Sequence, residues 1–390
     1  MEIPQPAQDR LQPLDRGRFR KIKDDEFRPP YELVGLKYLR DKAGNERNLR
    51  ELYRGRAPYE LLQNADDAKA KRALFILSDE GFAFVHDGLW FTVDNFRCLA
   101  DGWSDKDPNQ CIGHKGLGFR SVLDITPSPY LVKIHPKEFF AIKFTWALNN
   151  GHIQEALKRN ASLRQHYEQW TASGRQCCPV MAIPGEAKKQ NLGASSVIYD
   201  NLIQGRYGPG FTTMFWFPVM DPDIPTAMLS ELSPLPIRAD KEGRERLLQF
   251  LDKELRVLMP FLRALEECRV HESGILLGQA KTLRKPLESN CWETIVSIER
   301  DRTLRTESFV HARFVSDIPD RVRNLPDTPK AVRMMRSAGI TLSVRIQDGQ
   351  PVPENRALFH VYFPTEESTG TGFVIQGDFF VKPDRTRLML

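Results

Sequence analysis

The chain lacks any apolar run approaching the roughly 20 residues that a membrane-spanning helix needs. Its N-terminus, Met-Glu-Ile-Pro-Gln-Pro, has no basic segment followed by an apolar one, so no secretory signal is expected. Internal repeats and low-complexity tracts are absent. Cysteine is sparse: Cys98, Cys111, Cys177, Cys178, Cys268 and Cys291 are scattered over 390 residues. None has zinc spacing, and the adjacent Cys177-Cys178 pair lacks the Cys-x-x-Cys spacing of a redox site. Ordinary buried thiols in a reducing compartment, and hence a cytoplasmic protein, are expected.

What the chain does have is enough apolar material for sizeable cores: 41% hydrophobic residues beside 27% charged ones. Its length suggests two domains, or three. The net charge of +5 is modest and is concentrated in residues 281–345, which hold 13 Lys or Arg against 8 Asp or Glu. The arginines there (Arg300, Arg302, Arg305, Arg313, Arg321, Arg323, Arg333 and Arg336) make nucleic-acid contact conceivable. Acidic residues are mixed among them and no aromatic interleaving stands out, which favours a solvated surface or an interface for an acidic partner.

Three short motifs carry chemistry. The first is Glu60-Leu-Leu-Gln-Asn-Ala-Asp-Asp-Ala68. On a helix, Glu60, Asn64 and Asp67 fall at i, i+4 and i+7, on one narrow face. Leu61, Leu62, Ala65 and Ala68 fall elsewhere and can pack on a sheet. A carboxylate can take a proton from water, and an amide oxygen suits a hard cation such as Mg²⁺. A plain solvated amphipathic helix has the same pattern.

The second motif is His86-Asp87-Gly88. Ala73–Leu77 and Phe82–Val85 are apolar runs around Ser78-Asp-Glu-Gly81, a hairpin signature that sets Asp87 at a strand end. A carboxylate there can accept a hydrogen bond from an exocyclic amine, and Gly88 lets a flat ring approach the backbone. An ordinary Asp-Gly turn reads alike.

The third is Gly113-His-Lys-Gly116-Leu-Gly118-Phe119, followed by an apolar run able to begin a helix. Backbone N–H groups freed by glycine beside a helix N-terminus form a phosphate cradle, to which Lys115 adds charge. Alone, a Gly-x-x-Gly-x-Gly stretch is weak.

Order and spacing together resemble the GHKL ATPase superfamily (gyrase, the large heat-shock chaperone, histidine kinases and MutL). The wording of the three motifs is similar to sacsin repeats, as is Phe373-Val-Ile-Gln-Gly-Asp-Phe-Phe-Val-Lys-Pro-Asp-Arg385. The resemblance is strong over residues 55–125, fair near 197–220 and 355–390, and weak between. It implies an α+β fold: a Bergerat-type α/β sandwich, a mixed sheet covered by helices, followed by a second α/β transducer-like domain.

It also implies roles. Glu60 is the general base for the attacking water, and Asn64 holds Mg²⁺ against the phosphates of ATP. Asp67, with Ala68 beside it, supports the base region and reaches the nucleotide through water. Asp87 reads the adenine amino group and Gly88 makes room for the ring. Gly113, His114, Lys115, Gly116, Leu117, Gly118 and Phe119 form a lid around the phosphates. Thr212 or Thr213 matches the last-strand threonine near adenine, although Phe211 interrupts the usual Gly-Thr pair. Lys382, Arg385 and Arg387 are the candidates for a second-domain cation at the terminal phosphate, or they are simply surface charges. Histidine kinases usually carry an amide where Glu60 stands, so hydrolysis is expected rather than phosphotransfer.

The division that follows is an arm over 1–30, a nucleotide domain over 31–220, a proline-rich linker over 221–236 and a transducer-like domain over 237–390. Helices are expected at 151–170 and 241–267, a loop through about 195, and strands at 197–203, 211–219, 294–298, 340–345 and 357–363. The expected partners are ATP with Mg²⁺, a second copy through ATP-driven closure, and a fused or separate effector, either a nuclease or a client-binding part. No membrane is expected. The settings in view are a sensor in prokaryotic anti-phage defence and a chaperone-like remodelling ATPase. A degenerate, non-hydrolysing ATP-binding scaffold is the third reading.

Overall fold

The structure, a computed structural model, describes residues 11–23, 25, 29–101, 118–144, 155, 157–172, 179–181, 184–221, 224, 235–325, 333, 335–379 and 387–388, without the side chains of 29–39, 101, 170 and 171. It is α+β, as expected, and falls into two compact units that part at Glu245/Arg246, beyond the proline-rich stretch read as a linker.

The first unit is ordered by its helices α1 (Arg16–Ile22), α2 (Pro29–Leu52), α3 (Ala57–Asp67), α4 (Val93–Asp101), α5 (Ala161–Ala172) and α6 (Ser195–Ile203). Its strands are β1 (Arg72–Ser78), β2 (Gly81–His86), β3 (Tyr130–Lys133), β4 (Phe140–Phe144), β5 (Pro184–Ala187) and β6 (Thr213–Pro218). They lie in the order β1-β2-β6-β3-β4-β5, with antiparallel pairing across each neighbour.

Both faces of this sheet are covered, so β2 and β6 are buried along their whole length. Leu74, Ile76, Val85, Met214 and Trp216 meet Ile198, Tyr199 and Leu202 of α6 on one face. The other face is aromatic: Phe75 packs on Phe84 at 5.0 Å, Phe82 on Phe217 at 4.8 Å and Phe119 on Phe215 at 5.1 Å between ring centroids. Such ring pairs add to plain area burial.

The tight β1–β2 hairpin is the expected one, with Ser78 opposite Gly81 and Ala73 opposite His86. Gly81 has φ +153°, and a Cβ there would overlap the Phe217 carbonyl, so the turn and the β2–β6 approach both require glycine.

Residues 197–203 are a correction: they form α6, not a strand. Ile198, Tyr199 and Leu202 share one buried side at helical spacing, and their β-branched and aromatic character gives a strand-like reading only in isolation. The stretch expected to be a loop before it contains β5. Of the residues read as an arm, 11–22 lie against their own unit. Leu14 and Phe19 are fully buried, the Trp90 indole N–H donates to the Leu14 carbonyl at 2.8 Å, and Arg16 and Arg20 pair with Glu186 at 2.6 and 2.8 Å.

The second unit takes in most of β7 (Glu267–Glu272), then β8 (Ile275–Glu288), β9 (Cys291–Arg300), β10 (Thr303–Asp317), β11 (Ser337–Gln347), β12 (Gln350–Val352), β13 (Leu358–Val361), β14 (Phe363–Ser368) and β15 (Val374–Gly377). Its sheet runs β8-β9-β10-β11-β15-β13-β14, with β12 on β11. The β13–β15 pair is parallel, which makes the fold's β structure mixed. The helix expected over 241–267 ends earlier. An α-helix at Lys241–Gln249 passes into a π stretch at Phe250–Leu255 and closes in a 3-10 turn at Met259–Phe261. Pro260 lacks an amide donor and Leu262 is extended. Arg256 joins this helix to β10 through Glu307 at 2.8 Å and to Glu354, in the connection after β12, at 3.1 Å.

Candidate functional site

Helix α3 is the element on which the three motifs meet. Pro58 at its first turn fits the fixed φ of a helix start. Leu61, Leu62 and Ala65 are fully buried, and the helix packs against the segment Gly118–Asp124, which fixes the Glu60 stripe beside it. Along that stripe burial decreases: Glu60 is 4% exposed, while Asn64 and Asp67 are half-buried.

The Glu60 carboxylate lies against the backbone of Gly118. A Cβ at Gly118 would overlap Glu60 Oε2 and stand 2.9 Å from Oε1. The last glycine of the third motif therefore lies directly against the carboxylate of the first.

Gly118 opens a 3-10 helix, Gly118–Asp124, every residue of which is buried. Three contacts pin it. The Phe119 ring sits on Phe215, so this residue is a core anchor in addition to its place in the motif. Arg120 donates to the Ala100 carbonyl of α4 at 2.8 Å. Asp124 accepts the Gly55 N–H, from the turn before α3, at 3.0 Å. Burial raises the Asp124 pKa against the pull of that hydrogen bond and of Arg54 and Arg50. Gly113, His114, Lys115, Gly116 and Leu117 lie outside the described residues, as do Lys382 and Arg385. Arg387 is exposed in the second unit, next to Leu388, whose N–H donates to Glu367 at 3.1 Å.

The second motif meets the other end of α3. The Leu89 N–H donates to the Ala68 carbonyl at 2.7 Å, and a Cβ at Gly88 would stand 2.6 Å from that carbonyl oxygen and 2.9 Å from the Ala70 nitrogen. Glycine at 88 is thus demanded by the chain itself, whatever ring approaches it. The His86 imidazole is fully buried and burial lowers its pKa to about 4, although Asp87 pulls the other way. It is neutral at pH 7, and its Nδ1 accepts the Gly88 N–H at 3.2 Å.

Asp87 is held by four groups. Its Oδ1 accepts from the N–H of Lys71 at 2.8 Å and of Arg72 at 2.9 Å. Its Oδ2 accepts from Arg72 Nε at 2.8 Å, and its own N–H donates to the Arg72 carbonyl at 3.3 Å.

Both candidate threonines lie beside this turn. The Thr212 N–H donates to the His86 carbonyl at 3.1 Å and its hydroxyl to the Gly88 carbonyl. Thr213 is fully buried opposite His86 in the β2–β6 pairing, with the two hydroxyls 3.3 Å apart.

Arg72 is the residue that motif reading missed, and a signal for it was present. A hairpin closing on Ser78 and Gly81 sets Arg72 opposite Asp87, a cross-strand pair of opposite charge.

For a nucleotide with Mg²⁺, the donor set fits. Mg²⁺ commonly takes one or two protein oxygens and fills its shell with water and phosphate, which the Asn64 amide oxygen near Glu60 satisfies. Among the described residues there is no group of three or more His, Cys, Asp or Glu able to hold a metal without such help.

No family model matches the chain. Protein NO VEIN of Arabidopsis thaliana is 35% identical over 101 residues, which is 24% of this chain and 4% of that protein. Among solved structures, the N-terminal domain of a DNA repair protein aligns over 86% of this chain and 87% of its own, with 11% identity and a TM-score of 0.35. The ATPase and transducer domains of DNA topoisomerase II from Balamuthia mandrillaris align over 64% and 56%, with 10% identity and a TM-score of 0.30. The ATPase region of topoisomerase II from Saccharomyces cerevisiae aligns over 64% and 58%, with 12% identity and a TM-score of 0.30. The chain thus spans a small fraction of its sequence relative and under two thirds of each topoisomerase chain. Among the described residues, no helix is long and apolar enough to cross a membrane.

Proposed function

We propose that the first unit is a sacsin-like GHKL module that binds ATP with Mg²⁺ and hydrolyses it as a conformational switch. One observation supports this above the others: a single helix, α3, carries the buried Glu60 against Gly118 at one end and meets the Asp87-Gly88 turn at the other. Solvated helices, Asp-Gly turns and glycine loops are each common; their convergence on one helix is what a nucleotide site needs. Glu60 orients and deprotonates the attacking water. Asn64 holds the metal, and the metal, when bound, neutralises charge on the phosphates. Asp67 supports the nucleotide through water, Asp87 and Gly88 take the adenine, and Thr212 and Thr213 close its edge. The resemblance assigns the phosphates to the segment from Gly113 to Phe119 and the sensing of the terminal phosphate to one of Lys382, Arg385 and Arg387.

The switch would close a homodimer and drive a fused or separate effector in anti-phage defence. A chaperone-like remodelling role and a non-hydrolysing scaffold are the alternatives. The test is Mg²⁺-dependent ATP binding and single-turnover hydrolysis by wild type, Glu60→Ala and Asp87→Asn. Wild type is expected to hydrolyse, Glu60→Ala to bind with hydrolysis reduced at least 100-fold, and Asp87→Asn to lose binding. Wild type binding no adenine nucleotide at millimolar concentration would end the reading. Binding without hydrolysis, unchanged by Glu60→Ala, would leave the scaffold.

A further inference from the structure

We infer that the Arg72 side chain is a positioning residue that sets base selectivity, by holding the Asp87 carboxylate in the one orientation that leaves a base a single acceptor position. The inference rests on the nucleotide-site reading above and names what that site accepts.

An ionised carboxylate has about four lone-pair positions on its two oxygens. Among the described residues, three on Asp87 are filled: two on Oδ1 by the N–H groups of Lys71 and Arg72, one on Oδ2 by Arg72 Nε. Oδ1 is therefore saturated and Oδ2 retains one position. Adenine presents one exocyclic amino group and needs one acceptor. Guanine presents a ring N–H and an amino group side by side, a pair that an unengaged carboxylate would take with both oxygens. Arg72 Nε on Oδ2 keeps the carboxylate turned toward the two backbone N–H groups and so denies guanine that bidentate contact; without the side chain the carboxylate is free to rotate off them and offer both oxygens. A buried donor left unmet costs more than a hydrogen bond gained returns.

Arg72 is itself held so that it cannot swing away. Its Nη2 donates to the Pro209 carbonyl at 2.5 Å, and its guanidinium lies 4.8 Å from the centroid of the Phe211 ring, a cation–π contact. The loop wraps it closely: a Cβ at Gly208 or Gly210, both at positive φ, would stand 3.2 or 3.4 Å from the guanidinium nitrogens. That loop runs directly into Thr212, which bonds to the backbone of His86 and Gly88. One planar fork thus ties together the two segments that would enclose a base. Lysine has the charge but no fork, so it would not hold both.

The experiment measures ATP and GTP dissociation constants by competition, and kcat for ATP, on the full chain as wild type, Arg72→Met and Arg72→Lys, with denaturation midpoints to show that each is folded. Wild type is expected to prefer ATP. Arg72→Met should weaken ATP at least tenfold and lower the ATP-over-GTP ratio at least tenfold, with kcat at saturating ATP within threefold because Glu60 and Gly118 are untouched. Arg72→Lys should fall between, and it supplies the ratio if Arg72→Met does not fold. A folded variant with the wild-type ratio, or wild type that binds both nucleotides equally, overturns the role of Arg72 alone. Wild type that binds neither overturns the nucleotide site and this inference with it.

Discussion

Gly118→Ala tests the contact on which the site is built, independently of any assumption about substrate. The added methyl would overlap Glu60 Oε2 and crowd Oε1 at 2.9 Å. The obstacle is the end of a side chain rather than backbone, so Glu60 yields. Yielding is not free, because the carboxylate is 4% exposed and its surroundings are packed. Overpacking a core by one methyl costs about 1–3 kcal/mol, and forcing a side chain off its rotamer about 0.5–1.5 kcal/mol of that. The expected destabilisation is therefore about 2 kcal/mol by urea denaturation.

The decisive measurement is the double-mutant cycle. In a Glu60→Ala background the methyl meets no carboxylate, so Gly118→Ala should cost at least 1 kcal/mol less than in wild type. Coupling of that size is usual for residues in contact. If Glu60 is the base, the displaced carboxylate of Gly118→Ala should also lower hydrolysis about 100-fold with ATP affinity within a few-fold, since a shift of about 1 Å suffices for that loss. Additivity of the two stability changes within about 0.5 kcal/mol would refute the contact, and with it the convergence of the first and third motifs.

Two further outcomes follow from the same geometry. Burial lowers the pKa of His86 to about 4 and those of His311 and His360 to about 3, against about 6.5 unfolded. Their contribution is therefore present above pH 6.5 and lost as pH falls to about 4 for His86 and about 3 for His311 and His360, because the unfolded chain takes up protons that the folded one refuses. At pH 5 each loses about 2 kcal/mol, so urea midpoints at pH 7.5 and pH 5 should differ for both units, more for the second. A flat profile would mean that the imidazoles are not buried as described. The glycines of the first unit should divide by what surrounds them. Gly88→Ala, whose Cβ meets fixed backbone at Ala68 and Ala70, should cost about 3 kcal/mol. Gly44→Ala, inside α2 with nothing within 4 Å, should stabilise by up to about 1 kcal/mol. Equal effects in denaturation would contradict the packing.

The parts of the fold that were legible in sequence are those where local chemistry and tertiary context agree. The β1–β2 hairpin announces itself by two apolar runs, a polar turn and Gly81, and β6 by Thr-Met-Phe-Trp-Phe. Helix α6 shows the opposite case: Ser-Ser-Val-Ile-Tyr favours a strand locally, yet burying Ile198, Tyr199 and Leu202 against β1, β2 and β6 decides for a helix. The early end of the 241–267 helix has a visible cause in Pro260. Its π stretch has none in composition, because the sheet beneath it and the pairing of Arg256 with Glu307 and Glu354 are non-local.

The site was legible to a different depth at each residue. Motif spacing named Glu60, Asp87 and Gly118 but could not say that the carboxylate of one rests on the backbone of another, since 58 residues separate Glu60 from Gly118. It offered Gly88 as room for a ring, where the structure adds a prior demand from Ala68 and Ala70. It passed over Arg72 because motif reading asks which residues are unusual, and an arginine at the edge of a strand is not. Register makes it special: hairpin pairing, loop wrapping and ring contact all converge on one guanidinium. If selectivity does reside there, the residue that chooses the base is one that never touches it, and its effect will appear in the ATP-to-GTP ratio before it appears in the rate.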